Sequence, residues 1–361
     1  MRVERLRLKN FRNIESLELS PYGEMNVICG ENAQGKTNII EALWLFSGAK
    51  SFRSSKDSSF IKFGESKALC DVEFIFGGVK NEAQMEFSEK RTACLCGKKL
   101  SNPSKLAGIF NAVVFSPYDL SLVKDGPAAR RKFADTAIGQ LYPNYIELLR
   151  DYIRAVSQRN KIIKDYKYDG SLCVMLDVFE EEMAQKGTKI IEYRKKYLKL
   201  LSRFLPEIYS GLSLGKEKIE ANYISSFGAE EDAEKIKILF ENSRKNDSFI
   251  GVTSLGPHRD DIEFKINGVS VRAYGSQGQK RSCALSLKLA QGEIINEISG
   301  EYPIFLLDDV MSELDPTRQN YILNHIKGRQ SFITCCDPNN TAGLKKGKIF
   351  SVCGGIAEEC I

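Results

Sequence analysis

Histidine is nearly absent from this chain: among 361 residues there are two, His258 and His325, isolated from one another and from any second ligand at metal spacing. No zinc motif and no histidine-dependent nucleophile motif can be built from them. Long apolar runs are missing as well. The opening MRVERLRLKNF carries charge throughout and has no continuous apolar core for a secretory leader, and no later stretch approaches the roughly 18 apolar residues of a spanning helix. Internal repeats, sustained heptads and low-complexity linkers are also lacking, so disorder is not the default. The expectation is a cytoplasmic globular protein. Ten cysteines are scattered along the chain, and those in apolar strand-like runs (Cys29, Cys70, Cys173, Cys283, Cys335) read as buried reduced thiols. Cys94-x-Cys96 has no matching Cys/His pair. The length suffices for one large domain or two medium ones, and a formal charge of +5 permits a nucleic-acid partner without demanding one.

Pattern divides the chain in three. Residues 1–125 read as strands around a single early helix, KTNIIEALWLFSG, with alternating apolar positions and turns such as GGVKN that predict hairpins after it. Residues 126–247 are helical: one amphipathic stretch from Pro127, interrupted at Pro143, then a second from LCVML to YSGL, then a shorter helix in EDAEKIKILFENSRKNDS. Residues 248–361 return to strands and turns and read as another α/β part, with a helix through CALSLKLAQGEIINEIS, the apolar strand PIFLLDDV, a helix after Pro316 and the strand QSFITCC.

The most specific segment is GENAQGKT, Gly30 to Thr37, which fits G-x-x-x-x-G-K-[ST] between a strand-like run and a helical pattern. Gly30 and Gly35 let the backbone curl and aim amide hydrogens at phosphate oxygens, Lys36 reaches the β and γ phosphates, and Thr37 ligates magnesium. Glu31, Asn32, Ala33, Gln34 and the following Asn38 complete the candidate nucleotide-binding set. Far downstream, the apolar run Ile304 to Leu307 ends in two adjacent carboxylates. A central parallel strand has this appearance, and burying such a pair without a cation is costly. Asp308 is the natural partner of the magnesium on Thr37, and Asp309 the candidate for orienting or deprotonating an attacking water. A third segment, YGSQGQKR, Tyr274 to Arg281, precedes an apolar-periodic helix; Ser276 or Gln279 could be an ordinary N-cap there.

With these segments in order, together with LRLKNFRN, FSPYDLSLVKDGPAARRKF, GPHRDDIEF and LLDDVMSELD, the chain resembles the RecF family over essentially its whole length. RecF proteins are ABC-type ATPases related to the heads of structural-maintenance-of-chromosomes (SMC) proteins. The resemblance implies an α/β fold, an ABC/SMC-like P-loop ATPase head with an inserted helical arm domain. It implies ATP and Mg2+ as cofactors, and an ATP-dependent head-to-tail homodimer. In that dimer Ser276, Gln277, Gly278 and Gln279 form the signature pressed against the γ phosphate held by a second subunit, and Ser312, Glu313, Leu314 and Asp315 form a loop crossing the interface. It implies double-stranded or single-strand/double-strand junction DNA as ligand, and action with RecR and RecO in loading RecA at gaps. The chain departs from the general ABC pattern at Asp309, where many such enzymes have Glu, and in lacking a histidine after QSFITCCD, where Thr334 is the nearest candidate; slow hydrolysis is expected, with Lys36 and Asp309 as catalytic residues.

Candidate DNA contacts are Arg130, Arg131 and Lys132, with Lys56 and Lys62 after the first helix and Arg154, Arg159, Lys161 and Lys164 further along; such runs are equally often a solvated helix face. Two rival functions stand beside the hydrolysing clamp: a scaffold whose ATP is structural, with negligible turnover, and a nucleotide-binding subunit of a transporter, which would need a membrane partner.

Overall fold

A computed structural model of the chain describes residues 1–53, 56–166, 170–336 and 347–360. They fall into two compact units, the first made of Met1–Leu120, Glu207–Lys216 and Arg281–Ile361, the second of Ser121–Pro206 and Glu217–Lys280.

The first unit opens with an antiparallel sheet. Its strands β1 (Arg2–Phe11) and β2 (Ile14–Leu19) precede β3 (Met25–Cys29) and helix α1 (Lys36–Leu45), which belong elsewhere; β4 (Ala68–Phe76), β5 (Val79–Phe87), β6 (Thr92–Leu95) and the short β7 (Lys98–Lys99) complete it in the order β2-β1-β4-β5-β6-β7. The hairpins expected after α1 are therefore present. Alternation explains which face is buried: Val3, Leu6, Leu8 and Phe11 of β1 point to the core, while Arg5 and Arg7 on the outer face reach Glu73 of β4 at 3.5 and 3.4 Å. Strand β8 (Ala112–Phe115), buried at every position, is the first sign of a doubly covered parallel sheet.

The second unit holds the short helix α2 (Ser121–Lys124), α3 (Pro127–Leu141), α4 (Pro143–Tyr166), the long α5 (Cys173–Ser213, whose last turns count with the first unit), β9 (Ile219–Ile224), α6 (Ala233–Ile250), the hairpin β10 (Asp261–Ile266) with β11 (Val269–Ser270), and the single turn α7 (Val271–Tyr274). The break expected at Pro143 is real: α3 stops at Leu141 and Pro143 starts α4, where a missing N–H costs nothing. Helix α4 buries Tyr145, Tyr152, Val156 and Ile163 on one stripe.

The unit boundaries differ from 126–247. Residues 248–280, expected in the head, pack with the helices, because the segment around GPHRDD is bonded to them by arginines of α3 and α5. Arg130 of α3 makes a bidentate pair with Asp261 at 2.7 and 2.9 Å, Arg131 donates to the Asp260 carbonyl at 2.6 Å, and Arg194 of α5 donates to the Pro257 carbonyl at 2.6 Å. Deeper in the unit, Arg159 of α4 is fully buried between Glu180 and Asp247, at 2.9 and 2.7 Å, and also donates to Thr253. Such a triad is retained only because each charge has its partner; removing one leaves an uncompensated buried charge.

The chain then returns to the first unit through α8 (Gln277–Ser299), β12 (Ile304–Leu307), α9 (Pro316–His325), β13 (Ser331–Cys335) and the hairpin β14 (Lys348–Cys353) with β15 (Ile356–Cys360). Together with β3 and β8 these strands make a sheet in the order β15-β14-β3-β13-β12-β8, parallel except for the edge strand β15. β3, β13 and β12 lie side by side, so the loops leaving their carboxyl ends converge, the usual place for a ligand in an open α/β sheet. Cys29, Cys70, Cys283 and Cys335 are buried, whereas Cys173 is half-buried at the start of α5. No helix among the described residues is long and apolar enough to cross a membrane.

Candidate nucleotide site

β3 is almost wholly buried and ends at Cys29; the chain must then turn abruptly into α1. Two glycines make the turn possible. Gly30 has φ +151° and Gly35 φ +116°, and a side chain at Gly30 would place its Cβ 2.3 Å from the Val352 carbonyl oxygen. The loop between them is pinned from outside. Asn13 donates to the Ala33 carbonyl at 3.3 Å and accepts from Asn38 at 2.7 Å, and Gln34 accepts through its backbone and side-chain oxygens from the amides of Gly355 and Gly354. Behind the loop, Arg12 holds the fully buried Glu41 of α1 in a two-pronged pair at 3.0 and 3.1 Å. Lys36 folds its ammonium back onto the carbonyls of Gly30 and Glu31, the latter at 2.8 Å, with the Cys336 sulfur 3.8 Å away.

The acidic strand end meets this loop. Thr37 Oγ1 donates to Asp308 Oδ1 at 2.8 Å, and Thr334, from the neighbouring strand β13, donates to the same oxygen at 3.0 Å while accepting the Asp309 amide at 2.8 Å. Asp308 is buried and Asp309 exposed. Burial pushes the Asp308 carboxyl above its usual range, against the lowering effect of the two hydroxyls and of Arg53. A magnesium ion fits here on donor chemistry: Thr37 and Asp308 offer hard oxygens, and magnesium takes few protein ligands, filling the rest of its shell with phosphate and water. The described residues hold no cluster of three or more Asp, Glu, His or Cys in ligating arrangement, and such a site does not require one. Asp309 adopts φ +52°, a left-handed conformation uncommon for a residue with a side chain, and its Oδ1 accepts from Ser312 at 3.0 Å.

Residues Ser312 to Asp315 lead into α9, which Asp315 caps by accepting the Arg318 amide. Their loop is tied down by Arg281, which donates to the Glu313 carbonyl at 2.8 Å, and by Gln319, which donates to the carbonyls of Met311 and Leu314. Thr334, nearest to the missing histidine, is buried and engaged with both aspartates.

The signature segment, in the second unit, begins α8 with a capping box. Gln279 N–H donates to Ser276 Oγ at 3.2 Å, and Ser276 N–H donates to Gln279 Oε1 at 2.8 Å; Gln279 Nε2 also reaches Glu217 at 2.7 Å. The N-cap geometry is therefore real. Among the described residues the Ser276 hydroxyl proton has no acceptor, and Ser276 and Gln277 are exposed at a helix start, where amides face outward.

Arg53 is a residue that local pattern did not single out. It donates to Asn38 Oδ1 at 2.8 Å and lowers the Asp308 carboxyl, so it is a cation beside the phosphate loop. Only the fold brings it there, from the coil after α1. The DNA candidates fare unevenly. Arg130 and Arg159 are buried in ion pairs, and Arg131 is half-buried and spent on a carbonyl, so these three are corrected: they hold the second unit together. Lys132 and Lys56 are exposed, and Lys62 pairs with Glu15 at 2.6 Å.

A phosphate loop, an acidic strand end beside it and a capped signature helix define an ABC/SMC-like P-loop ATPase head, here with a helical arm. The RecF/RecN/SMC N terminal domain model matches residues 2–346. The chain is 40% identical over 338 residues to the DNA replication and repair protein RecF of Clostridium acetobutylicum, covering 93% of each, and 40% identical over 380 residues to that of Bacillus thuringiensis strain Al Hakam, covering 99% and 98%. Among solved structures, the recombination mediator protein RecF-ATP in the RecFOR pathway superposes with a TM-score of 0.91 at 35% identity, covering 100% of this chain and 98% of that one. A Pyrococcus furiosus Smc head domain shares the fold alone, with a TM-score of 0.56 at 18% identity over 99% and 96% of the chains. The chain belongs to the RecF family, and is an ATP-binding protein of DNA repair and recombination.

Proposed function

We propose that the chain binds ATP with Gly30–Thr37, dimerises head to tail on it, and in that state clamps double-stranded or gapped DNA, where it helps the mediators RecR and RecO load RecA. The observation that carries the nucleotide part is the Thr37–Asp308 hydrogen bond, which joins two motifs 271 residues apart at the oxygens a magnesium would use. When bound, magnesium neutralises charge on the β and γ phosphates. The chain's own residues do the rest. The loop amides and the positive end of α1 hold the phosphates, Lys36 swings from the loop carbonyls to the γ phosphate, and Asp309 orients or deprotonates the attacking water. The Ser276 hydroxyl and the exposed amides of α8 supply the contact across the dimer.

Turnover is slow in this account, because Asp309 is one methylene shorter than the usual Glu and its carboxylate is held by Ser312. The same observation favours the second reading, a scaffold in which ATP holds the dimer and is scarcely hydrolysed. Steady-state phosphate release with and without duplex DNA separates them: release above the Lys36→Ala background supports the hydrolysing clamp, and release equal to that background leaves only the scaffold.

A further inference from the structure

With Arg130, Arg131 and Arg159 occupied inside the second unit, the cations able to meet DNA must be sought on exposed faces. Helix α4 has one. Arg150, Arg154, Lys161 and Lys164 are all exposed and stand at offsets 0, 4, 11 and 14, so on a helix turning 100° per residue they share an arc of about 80°. Ser157, also exposed, fills the remaining step of the stripe. Fourteen residues at 1.5 Å rise make a row of about 21 Å. The acids of α4 nearest this face, Glu147, Asp151 and Asp165, lie to one flank of it; among the described residues only Arg150 of the four cations has an ion pair, a long one of 3.7 Å to Asp151.

The outer face of α5 makes an instructive contrast. Lys189, Lys196, Lys199 and Arg203 are exposed at comparable spacing, but Glu192 stands among them, Lys196 lies over the Tyr142 ring at 4.9 Å, and Arg203 over Phe204 at 5.5 Å. That face is a mixed, partly engaged surface. The α4 face, by contrast, is of one sign across its four exposed cations, which fall in a single row along the helix as a line of phosphates requires.

We infer that the α4 face of Arg150, Arg154, Lys161 and Lys164 is the part of the second unit that tracks the phosphate backbone of duplex DNA, without reading bases. This rests on the DNA-clamping reading above and names its surface. Four long, flexible cations in a row suit a ligand with one negative charge per about 1.7 Å of axis, and their contribution must fall as salt rises.

The test is equilibrium binding of the full chain to a duplex of fixed length with ATP and magnesium, from about 50 to 200 mM salt. Three proteins are compared: wild type, a variant with all four α4 cations changed to Gln, and a charge-matched control, Lys189→Gln, Lys196→Gln, Lys199→Gln and Arg203→Gln. The α4 variant is expected to lose about 3 to 4 from the slope of log K against log salt, and about 10- to 100-fold in affinity at the low-salt end, while the control stays near wild type. An equal loss in both variants overturns the proposal in favour of a diffuse field set by net charge. No loss in the α4 variant overturns it too and leaves the face to an acidic protein partner. A wild type that shows no ATP-dependent DNA binding removes the clamp itself, a different failure from either. Thermal unfolding of both variants, expected unchanged for exposed positions, guards against misfolding.

Discussion

Replacing Arg130 by Ala separates two roles that a basic residue can have, and the structure commits to one. The residue is 3% exposed, and its guanidinium donates to both carboxylate oxygens of Asp261 at 2.7 and 2.9 Å and a third time to the Asp125 carbonyl at 2.8 Å. Deleting it leaves a carboxylate with 22% exposure stripped of its bidentate partner, a carbonyl without its donor, and the void of a large side chain. Breaking a buried pair by removing one partner costs about 3–5 kcal/mol, a large share of the roughly 5–15 kcal/mol that holds a domain folded. With a urea dependence of about 3 kcal/mol per molar, the midpoint of the second unit's transition falls by about 1 M or more. The assay is urea unfolding followed by far-UV circular dichroism, with Lys132→Ala as the comparison. That neighbour is exposed, and its loss should change stability by less than about 0.5 kcal/mol. An Arg130→Ala protein that unfolds at the wild-type midpoint yet binds DNA more weakly would rule out the structural role and restore the residue as a DNA contact.

Two further outcomes follow from the same geometry. Burial, reinforced by the nearby Arg259, Arg131 and Arg159, pushes the His258 imidazole down to about 4 against a backbone contact to Thr253 that raises it. It is therefore neutral when folded and takes a proton on unfolding below its ordinary pKa near 6.5. Its contribution is fully present above about pH 6.5 and is lost as pH falls towards 4, by up to about 3 kcal/mol; His258→Asn should flatten that part of the stability–pH curve, and an unchanged slope would contradict the assignment. The exposed Cys336 sulfur, 3.8 Å from Lys36 Nζ and 3.2 Å from Asn32 Oδ1, serves as a reporter of the phosphate loop. Its alkylation by N-ethylmaleimide, mapped by peptide mass, should slow about 100-fold when ATP is present at about 100 times its Kd; a rate indifferent to ATP would place the nucleotide elsewhere.

The parts of the site that were legible in the sequence are those fixed by local chemistry. A phosphate loop needs glycines at set positions and a lysine and hydroxyl directly after, so Gly30, Gly35, Lys36 and Thr37 announce themselves. An apolar run ending in Asp308 and Asp309 does the same for a central strand. The capping box at Ser276 and Gln279 was equally local, and both its structural use and its exposed hydroxyl are present at once. What was not legible depends on distant partners. Whether Arg130 faces solvent is decided by Asp261, 131 residues away, and the burial of Arg159 by Glu180, Asp247 and Thr253. The same long-range pairing moves residues 248–280 into the helical unit, although their strand-like pattern matched the head. Arg53 sits in a coil with no motif of its own and acquires meaning only when α1 brings Asn38 beside it.

The proposed function stands or falls on whether ATP joins two copies through the exposed start of α8. Sedimentation velocity with and without ATP and magnesium, on wild type and Ser276→Arg, tests it most directly, alongside a nucleotide-binding titration of both. An ATP-dependent dimer is expected for wild type, and for Ser276→Arg a monomer that still binds ATP, since the substitution puts bulk and charge into the contact and leaves the phosphate loop alone. A Ser276→Arg protein that dimerises with ATP as readily as wild type would contradict it.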